Sequence, residues 1–193
     1  MLAELPHKPG EIHAIASALG LELQEVETDG FEGALIRASD LPLGAIVVRE
    51  SISGPGRKNF TIAHEIGRFV LPGHDRAGRA CTAADVANWA DHSDAKAFKW
   101  EADEFAAELL MPAAVVKRII KGVPPSLGII EKIAPVTGGA SFSAAAWRYC
   151  DLVAEKCAVV WSTEGKIQWA KRSEDFPFLL RKGPVEESTF TAR

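Results

Sequence analysis

The segment from Phe60 to Arg68, FTIAHEIGR, restricts this chain more than any other. Set on an α-helix, Ile62, Ala63, Ile66, Gly67, Phe69 and Val70 fill a wide apolar arc, while Thr61, His64, Glu65 and Arg68 share one narrow polar strip. A helix apolar over so much of its circumference is buried on most sides, and its polar strip has to face water or a cleft. The Gly54-Pro55-Gly56 loop precedes it and Pro72-Gly73 ends it.

The strip carries chemistry. His64-Glu65 begins the pattern HExxH, in which two histidines four apart bind zinc and the Glu between them acts as general base on the metal-bound water. The last letter here is Arg68. A guanidinium has no lone pair to donate and stays protonated, so it cannot replace an imidazole at a cation. A unit positive charge held about 5 Å from Zn²⁺ raises the ion's free energy by about 6–7 kcal/mol at an effective dielectric of about 20.

The rest of the chain sets the context. A length of 193 residues fits one domain or a domain with a small appendage, and 47% hydrophobic with 25% charged residues is an ordinary globular composition. The net charge of −4 comes from both signs dispersed along the chain, without a Lys/Arg run, which argues against nucleic acid as a direct partner. No apolar stretch approaches the roughly 18 residues of a membrane span, and the start lacks the basic and apolar regions of a signal peptide; the cytoplasm is the expected location. Cys81, Cys150 and Cys157 are odd in number and form no CxxC, so no disulfide framework is expected.

Periodicity predicts a helix from Glu11 to Leu19, then short strands at Leu21 to Val26, Gly33 to Ala38 and Gly44 to Glu50, forming a small antiparallel or mixed sheet. A second long helix, Ala97 to Leu110, ends at Met111-Pro112 and carries Glu101, Glu104 and Glu108 opposite its apolar face. Further helices are expected over Ala113 to Lys121, Ser126 to Val136 and Ser141 to Leu152. Cys157 to Thr163 and Lys166 to Lys171 read as a hairpin turning at Glu164-Gly165, which sets Val160 opposite Trp169, with a last strand at Phe176 to Leu180. The division expected is a domain over 1–155 and a hairpin extension over 156–193, packed on it.

Two segments, FTIAHEIGR and EADEFAAELLMP at Glu101 to Pro112, together resemble the ImmA/IrrE family of metallo-endopeptidases, with its patterns FTxAHELGH and ExxANxFAAxLLMP. The resemblance implies an α+β, zincin-like fold: a small sheet on an active-site helix, with further helices. Carried over, it makes His64 the first zinc ligand, Glu65 the catalytic base and Glu101 the third ligand. Arg68 stands where the second ligand belongs, and Asp103 replaces the usual Asn. It further implies a helix-turn-helix repressor as the protein substrate or partner.

Arg68 then has three readings: it is an introduced residue in place of the natural one, or, as the chain's own residue, it takes one of two positions. The guanidinium occupies the metal position and pairs with Glu101 or Glu65. Otherwise it swings out and a substitute ligand enters, for which Cys81, His74 and His92 lie between the motifs. Cys81 is chemically the best of these, although a cysteine is more often a buried apolar residue and the two histidines sit in loop-like sequence. Two functions follow: zinc-dependent hydrolysis of a regulatory protein, or a metal-free pseudo-peptidase that binds a regulatory or toxin-like partner without cleaving it.

Overall fold

The computed structural model describes residues 11–37, 44–74, 94–136 and 139–185. The chain forms two compact units, Met1–Pro112 with Ala134–Ser141, and Ala113–Ile133 with Phe142–Arg193.

In the first unit the elements are α1 (Glu11–Ala18), β1 (Glu22–Val26), β2 (Gly33–Ile36), β3 (Ala45–Arg49), α2 (Pro55–Val70) and α3 (Asp94–Leu110). The three strands lie in the order β1-β3-β2. β1 runs parallel to β3 and β2 antiparallel to it, so the sheet is mixed. Ala45, Ile46, Val47 and Val48 of the central strand are all buried, the continuous apolar run of a strand enclosed on both faces.

Helix α2 starts with Pro55 in its first turn, after Gly54 at φ 83°, and stops where Leu71 N donates to Gly67 O ahead of Pro72. It packs on α1, β2, β3 and α3. Ile62 and Ile66, each 1% exposed, supply the apolar contacts, worth about 1.5–3 kcal/mol apiece. Two glycines set how close the neighbours come. A Cβ on Gly67 would lie 2.9 Å from Phe105 Cδ1 of α3, and one on Gly33 would collide with the Thr61 methyl. Glu32, at the mouth of β2, ties the sheet to α2 by accepting from Arg57 Nη2 at 2.8 Å and from Arg49 Nη2 at 3.0 Å.

In the second unit the elements are α4 (Ala113–Ile120), α5 (Leu127–Val136, of which residues 127–133 belong here), α6 (Phe142–Leu152), β4 (Ala158–Thr163), β5 (Lys166–Arg172) and β6 (Gly183–Pro184). α6 packs on α4, β4 and β5. The hairpin and α6 thus lie in the same compact unit.

The turn at Glu164 (φ 52°) and Gly165 (φ 69°) has the two positive φ values of a tight hairpin. Beyond it the expected register fails. A bulge between Trp161 and Ser162 pairs Trp161 with Trp169 and Val160 with Ala170. The last strand is also displaced: Phe176 to Leu180 is irregular, with Phe178 and Leu179 each 67% exposed, because Pro177 lacks an N–H for a ladder. The short strand is Gly183–Pro184.

Two tests follow. Gly67→Ala wedges a methyl between α2 and α3 and is expected to cost about 1–3 kcal/mol in urea unfolding; an unchanged midpoint would refute the close approach. In the second unit, burial first and the neighbouring Cys157 second push the Tyr149 phenol and the Cys150 thiol each up to about 12. Because both are raised above their ordinary values of 10.0 and 9.0, their contribution to stability is complete below about pH 9 and lost as pH climbs towards about 12. Tyr149 is the sequence's single tyrosine, so ultraviolet titration reads it alone; a midpoint near 10 in the folded chain would contradict its burial.

Candidate functional site

The polar strip of α2 is enclosed. His64 is 6% exposed, Glu65 0% and Arg68 6%. Charged contacts among the described residues organise it. Arg68 Nη1 donates to Glu65 Oε2 at 3.3 Å, one turn back on the same helix. His64 Nδ1 donates to Asp103 Oδ1 of α3 at 2.8 Å. Lys99 Nζ donates to Asp103 Oδ2 at 2.6 Å, across one turn of α3.

Burial pushes the Asp103 carboxyl up, but the His64 hydrogen bond and charge, with Lys99 behind them, outweigh it and hold the group below its ordinary value. Asp103 is therefore an acceptor, and the proton of the His64 bond sits on Nδ1. A carboxylate at Nδ1 fixes the ring's orientation, as carboxylate partners do for metal-binding histidines.

Glu101 goes elsewhere. Its side chain is 49% exposed, and Oε2 accepts from His74 Nε2 at 2.9 Å. His74 is fully enclosed, with its ring edge-on to Phe98 at 4.8 Å. Two residues apart on a helix means about 200° of rotation, so Asp103 and Glu101 leave α3 on opposite flanks of its buried Ala102–Ala106–Leu109 face. Of the expected ligands, the structure joins His74 to Glu101 and joins neither to His64. Cys81 and His92 lie outside the described residues.

Lys99 and Asp103 are the site residues that sequence reasoning underused, although the signal was present. Counted back from Phe105-Ala106-Ala107, the Glu opening ExxANxFAAxLLMP coincides with Lys99; the carry-over to Glu101 is two residues out of register. Lys99 is also the residue that shares Asp103's flank of α3.

Among the described residues, no three of His, Cys, Asp and Glu converge as a metal-binding group. Beside His64, the carboxylates of Glu65 and Asp103 are already engaged by Arg68 and by Lys99, which brings two cations to the place an ion would need. The residues as placed do not fit a zinc ion.

A small mixed sheet laid on an HExx-type helix, with a second helix closing over the polar strip, is a zincin-like α+β fold. The family described as the IrrE N-terminal-like domain, Peptidase_M78, matches residues 16–134, and the chain belongs to that family. Among solved structures it is similar to a Mycobacterium tuberculosis transcriptional regulator, with a TM-score of 0.55 and 16% identity. That alignment covers 92% of this chain and 54% of the regulator, so the chain spans about half its length, and at this identity the likeness is one of fold. No curated protein matches.

The buried pair gives a prediction. Arg68→Met removes the guanidinium that faces the fully enclosed Glu65 and is expected to cost about 3–5 kcal/mol, whereas Glu65→Met/Arg68→Met together should recover much of that loss. A cost for Arg68→Met of under about 1 kcal/mol would show that the pair is not an enclosed ionic contact.

Proposed function

We propose that this chain is a non-hydrolytic member of its family, a cytoplasmic module that regulates a protein partner by binding it, with a helix-turn-helix repressor as the partner that family resemblance favours. The observation carrying this reading is Arg68, enclosed at the second ligand position and bonded to the carboxylate that would otherwise serve as base. A carboxylate oxygen that already accepts from a guanidinium is poorly placed to take a proton from water.

The scaffold still offers a place for a peptide. Among the described residues β2 is an edge strand of the sheet, with Ile36 45% exposed, and Gly33 lies over Glu65, where its Cβ position is 3.4 Å from Oε1. An edge strand beside a retained cleft supports capture of an extended segment by strand addition. Among the described residues no helix is long and apolar enough to cross a membrane, which agrees with a role beside a regulatory protein in the cytoplasm.

Zinc-dependent hydrolysis of the same partner is the second reading, favoured by one observation: the His64–Asp103 bond, which orients an imidazole as metal-binding histidines are oriented.

Elemental analysis and proteolysis separate the two. Purified without added metal, the chain is expected to carry far less than one zinc, to leave casein and a co-expressed repressor at full mass, and to release that repressor from its operator by contact. Zinc near one per chain, with cleavage that Glu65→Gln abolishes, would overturn the proposal.

A further inference from the structure

We propose that Arg68 and Lys99 act as a matched pair, an internal two-cation replacement for a metal ion, and that changing both residues, not Arg68 alone, converts this pocket into a zinc site. The inference rests on the non-hydrolytic reading and concerns how the chain reached it.

Among the described residues, four charged side chains gather on or next to His64: Glu65, Arg68, Asp103 and Lys99. Glu65 is matched by Arg68 at 3.3 Å and Asp103 by Lys99 at 2.6 Å. The two cations come from different helices, each paired within its own helix to an acid one turn away. A divalent ion entering next to His64 would meet two positive charges and no uncommitted acid among these four. The arrangement does electrostatically what a bound cation would do: it neutralises the two carboxylates that flank the imidazole.

Helix geometry makes Lys99 part of this and excludes Glu101. Position 99 lies one turn before Asp103 and on its flank, so a side chain there reaches the side of α3 that meets His64. Position 101 points to the opposite flank, against His74. With Asp103 engaged by His64 Nδ1, position 99 is where a further acid on this flank would join His64 and a residue at 68 around one ion. Arg68→His alone supplies a second imidazole and leaves Lys99's charge in place and the third protein ligand missing. The two cations differ in weight: Arg68 is enclosed at 7% side-chain exposure, whereas Lys99 at 26% is partly screened by solvent. Removing Arg68 should thus be necessary, and replacing Lys99 should complete the site.

The test is zinc affinity, measured by competition with a chromophoric chelator, in the parent chain, Arg68→His, Lys99→Glu and Arg68→His/Lys99→Glu, with circular dichroism to verify folding. The double variant is expected to bind zinc at least about 100-fold more tightly than either single variant, and its melting temperature should rise with zinc where the parent's does not. If Arg68→His binds as tightly as the double variant, Lys99 has no part. If the folded double variant gains nothing, the pocket is not a displaced metal site. Should Arg68→His/Lys99→Glu fail to fold, Arg68→His/Lys99→Gln removes the same charge with less disturbance and must still exceed Arg68→His by about tenfold. Failure of these variants with a zinc-free parent would sink this inference and leave the binding role standing; stoichiometric zinc in the parent would sink the binding role itself.

Discussion

An arginine and a glutamate one turn apart, both shut away from solvent, determine what this pocket is able to do. A lone carboxylate at 0% exposure is expensive, because burial removes its hydration, and the neighbouring guanidinium offsets that cost. The contact at 3.3 Å is long for a charge-assisted hydrogen bond, so its value is chiefly Coulombic. It also removes the two chemical preconditions of the HExxH mechanism at once: a neutral second imidazole, and a base ready to take a proton from water.

The fold delivers the pair into this enclosure by close approach of backbone. Gly67 admits Phe105 of α3 against one side of α2, and Gly33 admits Thr61 and Glu65 against β2 on another. With α3 so near, Asp103 reaches His64, and the charges of both helices become one network. The Glu32–Arg57–Arg49 cluster fixes the other end of the helix to the sheet, so the strip is held between two anchored elements. Such close packing leaves side chains little freedom to rearrange, which is why charge balance within the pocket has to be met by residues already there.

Much of this was legible beforehand, for identifiable reasons. Long periodic segments announced α2, α3 and the later helices, and the turn chemistry of Glu164-Gly165 announced the hairpin, since these signals are local. What failed was non-local or a matter of phase. The β1–β3 pairing is parallel because the chain crosses between them, which no strand advertises in its own residues. The bulge at Trp161/Ser162 shifts the hairpin by one residue without any Gly or Pro to mark it. At the site, Glu101 was expected beside His64, and only the flank of α3 from which each acid leaves separates Asp103, which meets His64, from Glu101, which meets His74. The strip's burial also exceeds what its polarity suggests, since charges that neutralise each other can be enclosed where single ones cannot.

Replacement of a bound ion by side-chain cations is a statement about where positive charge sits, and anomalous scattering at the zinc edge, from crystals grown with excess zinc, reads that directly. The account predicts no anomalous peak beside His64 Nε2, with the Arg68 guanidinium turned onto Glu65 and Lys99 on Asp103. A peak bonded to His64, with Arg68 swung away and another donor in its place, would contradict it.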